Sequence, residues 1–316
     1  MKLPKRIAEI LDKKQIFIDA QRSKMESSVI KLQSKLFSDI ISELIPELDV
    51  KDGLIQDTPK NYRLISILDK TYKDFQTVST QSVLPQIVNT TSKIAGLTEG
   101  YFSVMLSGNM PARFEKIIET TTKLTNARLG LEGAKIVRGG FLESFFNSNT
   151  IGTELKQMTS KAVTSNVNLK DFTKQLRDKI TGTEEYTGGL ERQFERYAYD
   201  IYQQYDATYN MTVGADLGFN YFIYQGGLIG DSRDFCAAHN NKVWSVEETK
   251  EWATWTPSKG EYPAGYVVKS KSPSAVPSYL GYPGYDPIID RGGYNCRHAL
   301  GWIPNKLAFD LRPDLK

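Results

Sequence analysis

The chain has 316 residues, of which 40% are hydrophobic, 24% charged and 11% aromatic, with a mean hydropathy of −0.40. That is enough apolar material for a core in one or two domains, and too aromatic for a largely disordered chain. Net charge is +3, and residues 219–316 hold 11 basic against 10 acidic side chains, so neither part is a polycation built for tight nucleic-acid binding.

The opening segment, MKLPKRIAEILDKK, lacks the apolar stretch of a signal peptide. No run of about 18 apolar residues exists to span a membrane. Two cysteines make no disulfide framework, and the expectation is a protein made in a reducing cytoplasm.

Apolar residues stepping by three or four predict a first helix from Lys5 to Leu44, with Met25, Val29, Leu32, Leu36, Ile40 and Leu44 on its buried stripe, Phe37 and Ile41 widening it, and Pro46 ending it. A second helical stretch after DTPKN shows Leu64, Ile67, Leu68, Tyr72 and Phe75 on one face. GNMPARFEKIIETTTKLTNARLGLEGAKI reads as one helix with Pro111 in its first turn. In NLKDFTKQLRDKI, Asn168 is the expected N-cap and Leu169, Phe172, Leu176 and Ile180 the buried face.

The longest later helix is bracketed by Gly188–Gly189 and Gly218, with Leu190, Phe194, Tyr197, Ile201, Tyr205, Thr208 and Val213 on its apolar side. Its tyrosines (197, 199, 202, 205, 209) surround more than one face. Packing on several neighbours is favoured over a protein–protein surface.

The chain changes character near residue 218. All four tryptophans and eight of thirteen prolines lie beyond it. FNYFIYQGG reads as a strand, SVEETKEWATW as a short helix with a Ser245–Glu248 capping box, 256–291 as a long loop, and HALGWIP as a closing strand. The expected fold is mainly α. An elongated helical region (1–160) and linking helices (161–218) precede a small α+β C-terminal domain (219–316) with a long Pro/Gly/Tyr-rich loop.

The two cysteines and two histidines fall in two short clusters, Cys236 with His239 and Cys296 with His298. Three readings stand. Two thiolates and two imidazoles satisfy a closed tetrahedral site for one structural Zn²⁺ that would clamp the loop between them. Cys236 and Cys296 can instead be a buried pair, reduced or oxidised after lysis. A nucleophilic Cys/His site is the third reading, but no nucleophile turn or orienting residue accompanies it.

Arg233 and Arg297 each sit near a cysteine. They bind an anion, or they tie loop carbonyls or pair with Asp231, Asp234 or Asp290; the aspartates favour the second. GGLIGD and RGGYN lack a phosphate-loop Lys and dinucleotide spacing, so no nucleotide site is expected; no small-molecule substrate is expected either.

Three segments carry a resemblance: YAYDIYQQYDATYN, then LGFNYFIYQGGLIGDSRDFCAAHNNKVWSVEETKEW, then GGYNCRHALGWIP. They resemble the head-morphogenesis, or minor head protein, family of tailed bacteriophages over roughly residues 165–304. The matching elements are Ser232, Arg233, Phe235 and Cys236; Asn240, Asn241, Lys242 and Val243; and Gly292, Gly293, Cys296, Arg297 and His298. Asn241 stands where glycine is usual, and asparagine tolerates left-handed φ.

The resemblance implies a structural virion protein without catalytic activity, in the head interior or near the portal. It would bind portal and/or major capsid protein and support head assembly and DNA packaging or ejection. The alternatives are a virion-carried enzyme with a Cys/His site and a DNA-binding packaging factor. Balanced charge makes any DNA contact weak and non-specific.

Overall fold

The computed structural model describes residues 5–294 and 296–316; for residues 190 and 193–200 it describes the backbone alone. The chain is mainly α, with small sheets, as expected. It packs into two compact units. One comprises Gln21–Asn89 and Arg128–Ala198, the other Met1–Ala20, Thr90–Ala127 and Tyr199–Lys316.

The first unit is helical. Helix α1 (Lys5–Glu43) supplies Met25, Val29, Leu32, Leu36 and Ile40, all buried, and Leu44 follows at 0% exposure. Pro46 falls in a 3₁₀ turn, Ile45–Glu47, as its missing N–H requires. A two-residue hairpin, β1 (Val50–Lys51) and β2 (Leu54–Ile55), leads to α2 (Pro59–Arg63), capped by Thr58 accepting from the Asn61 N–H. Helix α3 (Ile65–Met105) runs on through Pro85, with Val83 and Ile87 beside the proline both fully buried. Burial of that kind offsets the roughly 3 kcal/mol an interior proline costs.

Helix α4 (Phe114–Leu129) corrects one expectation. It starts beyond Pro111 and stops at Gly130, whose φ of 77° is left-handed. GLEGAKI then forms the hairpin β3 (Leu131–Glu132) and β4 (Lys135–Ile136) rather than more helix. Helices α5 (Phe141–Phe146), α6 (Thr150–Thr164) and α7 (Leu169–Thr181) follow. Asn168 caps α7, its side chain accepting from the Lys170 N–H at 2.9 Å, and Phe172, Leu176 and Ile180 are fully buried.

Helix α8 (Gly189–Asp216) contributes its later turns to the second unit. Tyr202, Tyr205 and Tyr209 are all buried there, as packing on several neighbours predicts. The side chains of Leu190, Phe194, Tyr197 and Tyr199 lie outside the described residues. No helix among the described residues is long and apolar enough to cross a membrane.

The second unit holds a three-stranded antiparallel sheet. Strand β5 (Tyr221–Gln225) is central, flanked by β6 (Lys242–Ser245) and β7 (Ala299–Ile303). Register pairs Phe222 with Trp244 and Trp302, and Tyr224 with Lys242 and Leu300. Between β5 and β6 lies the short helix α9 (Asp234–His239). The Ser245–Glu248 capping box forms reciprocally, at 3.1 and 2.8 Å, but it opens a 3₁₀ helix, Glu248–Thr254. The long loop then runs to α10 (Pro287–Asp290), and α11 (Asn305–Leu311) follows β7.

Candidate metal centre

Four side chains from three segments meet at β5. Tyr224 projects from the central strand, Cys236 from α9, and Cys296 and His298 from the turn into β7. The two sulfurs lie 3.8 Å apart, and the Tyr224 hydroxyl sits 3.4 Å from Cys236 Sγ and 3.3 Å from Cys296 Sγ. His298 Nδ1 is 3.8 Å from Cys296 Sγ, and its ring stacks on Tyr224 with centroids 4.9 Å apart. Cys236, Cys296 and His298 are each at most 4% exposed. Their ligand atoms fall within 4.8 Å of one another, close enough for one ion. Both cysteines are free thiols.

Glycine makes the convergence possible. A Cβ on Gly292 would stand 2.5 Å from Cys236 Sγ and 3.2 Å from Cys296 Sγ. Gly293, with φ of 83°, turns the chain where any side chain would meet the Tyr279 carbonyl. Arg233 ties the two segments together, donating to the carbonyls of Gly292 at 2.8 Å and Tyr294 at 2.6 Å and lying over the Tyr279 ring. It therefore takes the carbonyl-tying role, whereas Arg297 is exposed. Asn241 adopts the left-handed φ, 58°, that its place in the turn demands.

The structure separates the fourth sequence-derived ligand from the other three. His239 is sandwiched between Phe235 (centroids 3.8 Å) and Trp244 (4.5 Å), and its Nδ1 lies 2.7 Å from the Phe235 carbonyl. It belongs to the aromatic core, while Cys236, Cys296 and His298 form the cluster.

The charge distribution within the cluster is uneven. Hydrogen bonding to Cys296 and burial hold the proton on Cys236, whose thiol is pushed far up. Burial acts on Cys296 too, but the Cys236 thiol, His298 and Arg291 outweigh it and draw its pKa down. The donor set suits a soft or borderline cation. His298 turns Nδ1 toward the sulfurs, while its Nε2 is buried without a hydrogen-bond partner among the described residues.

Sequence reasoning missed Asp234, which fastens the long loop. Its buried carboxylate accepts from Tyr266 Oη, Lys269 N and Ser270 N, each at 2.9 Å, and from Ser270 Oγ at 2.5 Å. Burial alone would raise its pKa, but those donors together hold it below the usual value. Asp234→Ala should cost about 1.5–3 kcal/mol of local stability, the worth of hydrogen bonds to a charged group. Amide exchange at Lys269 and Ser270 should speed up by roughly 10- to 100-fold. Unchanged exchange would mean the loop is held elsewhere.

Comparison with protein-family models, with curated proteins and with solved structures gave no match.

Proposed function

We propose that this chain is a structural minor head protein of a tailed-phage virion. It would bind portal and/or major capsid protein and support head assembly and DNA packaging or ejection, with only weak, non-specific contact to packaged DNA. The reading rests on the sequence resemblance, and one observation supports it. Two of the three segments carrying the resemblance, far apart in the chain, are in direct contact through Arg233–Gly292 and Cys236–Cys296. They act as one structural module rather than scattered coincidences.

Within that module the buried cluster would hold one structural Zn²⁺, clamping the loop between α9 and β7. Burial of both thiols weighs against the enzyme reading. A cavity of about 60 Å³ beside Cys296 is enough for a water and too small for a substrate.

Two measurements test this. Protein mass spectrometry of purified particles should find the chain, and particles lacking it should show head or DNA-delivery defects. Its absence from particles refutes the virion reading. Elemental analysis should find about one zinc per chain, released by Cys296→Ser. A metal-free native protein refutes the zinc clamp and leaves a buried thiol pair.

A further inference from the structure

We propose that the Tyr224 hydroxyl is the fourth ligand of this metal centre, making it a closed Cys₂HisTyr site. The inference rests on the metal reading above and deepens it. Two sulfurs bound tetrahedrally at about 2.3 Å stand roughly 3.8 Å apart, and Cys236 and Cys296 Sγ are 3.8 Å apart. A sulfur and an oxygen or nitrogen on such an ion stand roughly 3.5 Å apart. Tyr224 Oη lies 3.3 and 3.4 Å from the sulfurs, and His298 Nδ1 lies 3.8 Å from Cys296 Sγ. The edges available therefore match a tetrahedron with the phenol oxygen at one vertex.

Position supports the assignment. Tyr224 comes from the middle strand of the sheet, paired on both sides, so its oxygen is held without loop adjustment. Its ring is fully buried, with Phe235 and Trp252 edge-on to it and His298 stacked on it. The site that His239 would have filled is thus taken by a residue from a different element.

Charge supports it as well. Two thiolates and a phenolate around a divalent ion leave one net negative charge. Arg291, 2% exposed, lines the same small cavity as Cys296 and supplies the compensating cation. Binding would displace to solvent the phenol proton and whatever protons the two cysteines carry, and no electrons move. A site closed by Tyr224 has no position for a substrate or an activated water, as a structural centre requires.

The test titrates the metal-free full-length protein with Zn²⁺ and with Co²⁺, for wild type and Tyr224→Phe. Sulfur-to-cobalt charge-transfer bands in wild type report the thiolates. The ultraviolet difference spectrum of an ionised phenol should grow with Zn²⁺ in step with them, to one equivalent. In Tyr224→Phe the phenolate signature should vanish while the charge-transfer bands persist, and the Co²⁺ form should newly bind azide. Loss of affinity alone does not decide, since a residue that merely hydrogen-bonds a ligand costs about 10- to 100-fold.

Charge-transfer bands without a phenolate signature in wild type would overturn the proposal and leave the metal reading standing. They would put a water from the 60 Å³ cavity at the fourth position. No binding of either metal by wild type would overturn both.

Discussion

Lys14→Ala should destabilise the second unit by about 3–5 kcal/mol, the cost of stranding a buried charge. Lys14 Nζ and Asp206 Oδ1 are 2.8 Å apart, with side chains 1% and 2% exposed. Thr98 Oγ1 donates to the same oxygen at 3.3 Å and Asn210 Nδ2 at 2.8 Å. Helices α1, α3 and α8 thus meet on one carboxylate. Removing the ammonium leaves Asp206 with neutral donors only, in a place water does not reach. The pair itself adds little net stability, because desolvation consumes most of the Coulombic gain. Lys14→Met with Asp206→Leu should therefore recover most of the loss. Urea unfolding followed by amide exchange in α8 measures both variants. A double variant as unstable as the single would show that the ion pair itself contributes net stability.

This pair also marks where the sequence stops being legible. Helix α1 was readable because its apolar residues step at helical spacing, and α7 because Asn168 stands before such a run. Lys14 lies in a run of charged residues that reads as a solvated face, and no local pattern reveals that Asp206 lies against it. The same limit applies to the candidate metal centre. Clustering of Cys and His pointed to Cys236, Cys296 and His298, but Cys-x-x-His spacing overreached to His239. Spacing places two residues one turn apart on α9. It does not disclose that Trp244, brought in by β6, captures the imidazole. Tyr224 escaped because nothing in the sequence separates a tyrosine beside such a cluster from a core tyrosine in an aromatic strand. The GLEGAKI hairpin was lost to a helix-period reading that ignored Gly130.

Acidification should destabilise the second unit well above the range where carboxylates titrate, with His239 as the cause. Burial among aromatic rings pulls its pKa down to about 3, and the nearby Lys242 ammonium adds to this. The Phe235 carbonyl opposes the shift without reversing it. In the folded protein the imidazole is therefore neutral throughout the usual range. The unfolded chain takes up a proton below about pH 6.5. Between about 6.5 and 3 the unfolded state binds more protons, so stability falls as pH drops through that window and levels off below it. At pH 5 the loss is about 2 kcal/mol relative to neutral pH, from about 1.4 kcal/mol for each unit below 6.5. His239→Phe keeps a ring between Phe235 and Trp244 and removes the titrating group. Its stability is expected to be lower at pH 7, through loss of the bond to the Phe235 carbonyl, yet nearly level from pH 7 to 5. Denaturant midpoints of the metal-free protein across that range, before most Asp and Glu titrate, isolate the effect from protonation of the proposed metal ligands. A wild-type slope retained in His239→Phe would assign the acid sensitivity to another group.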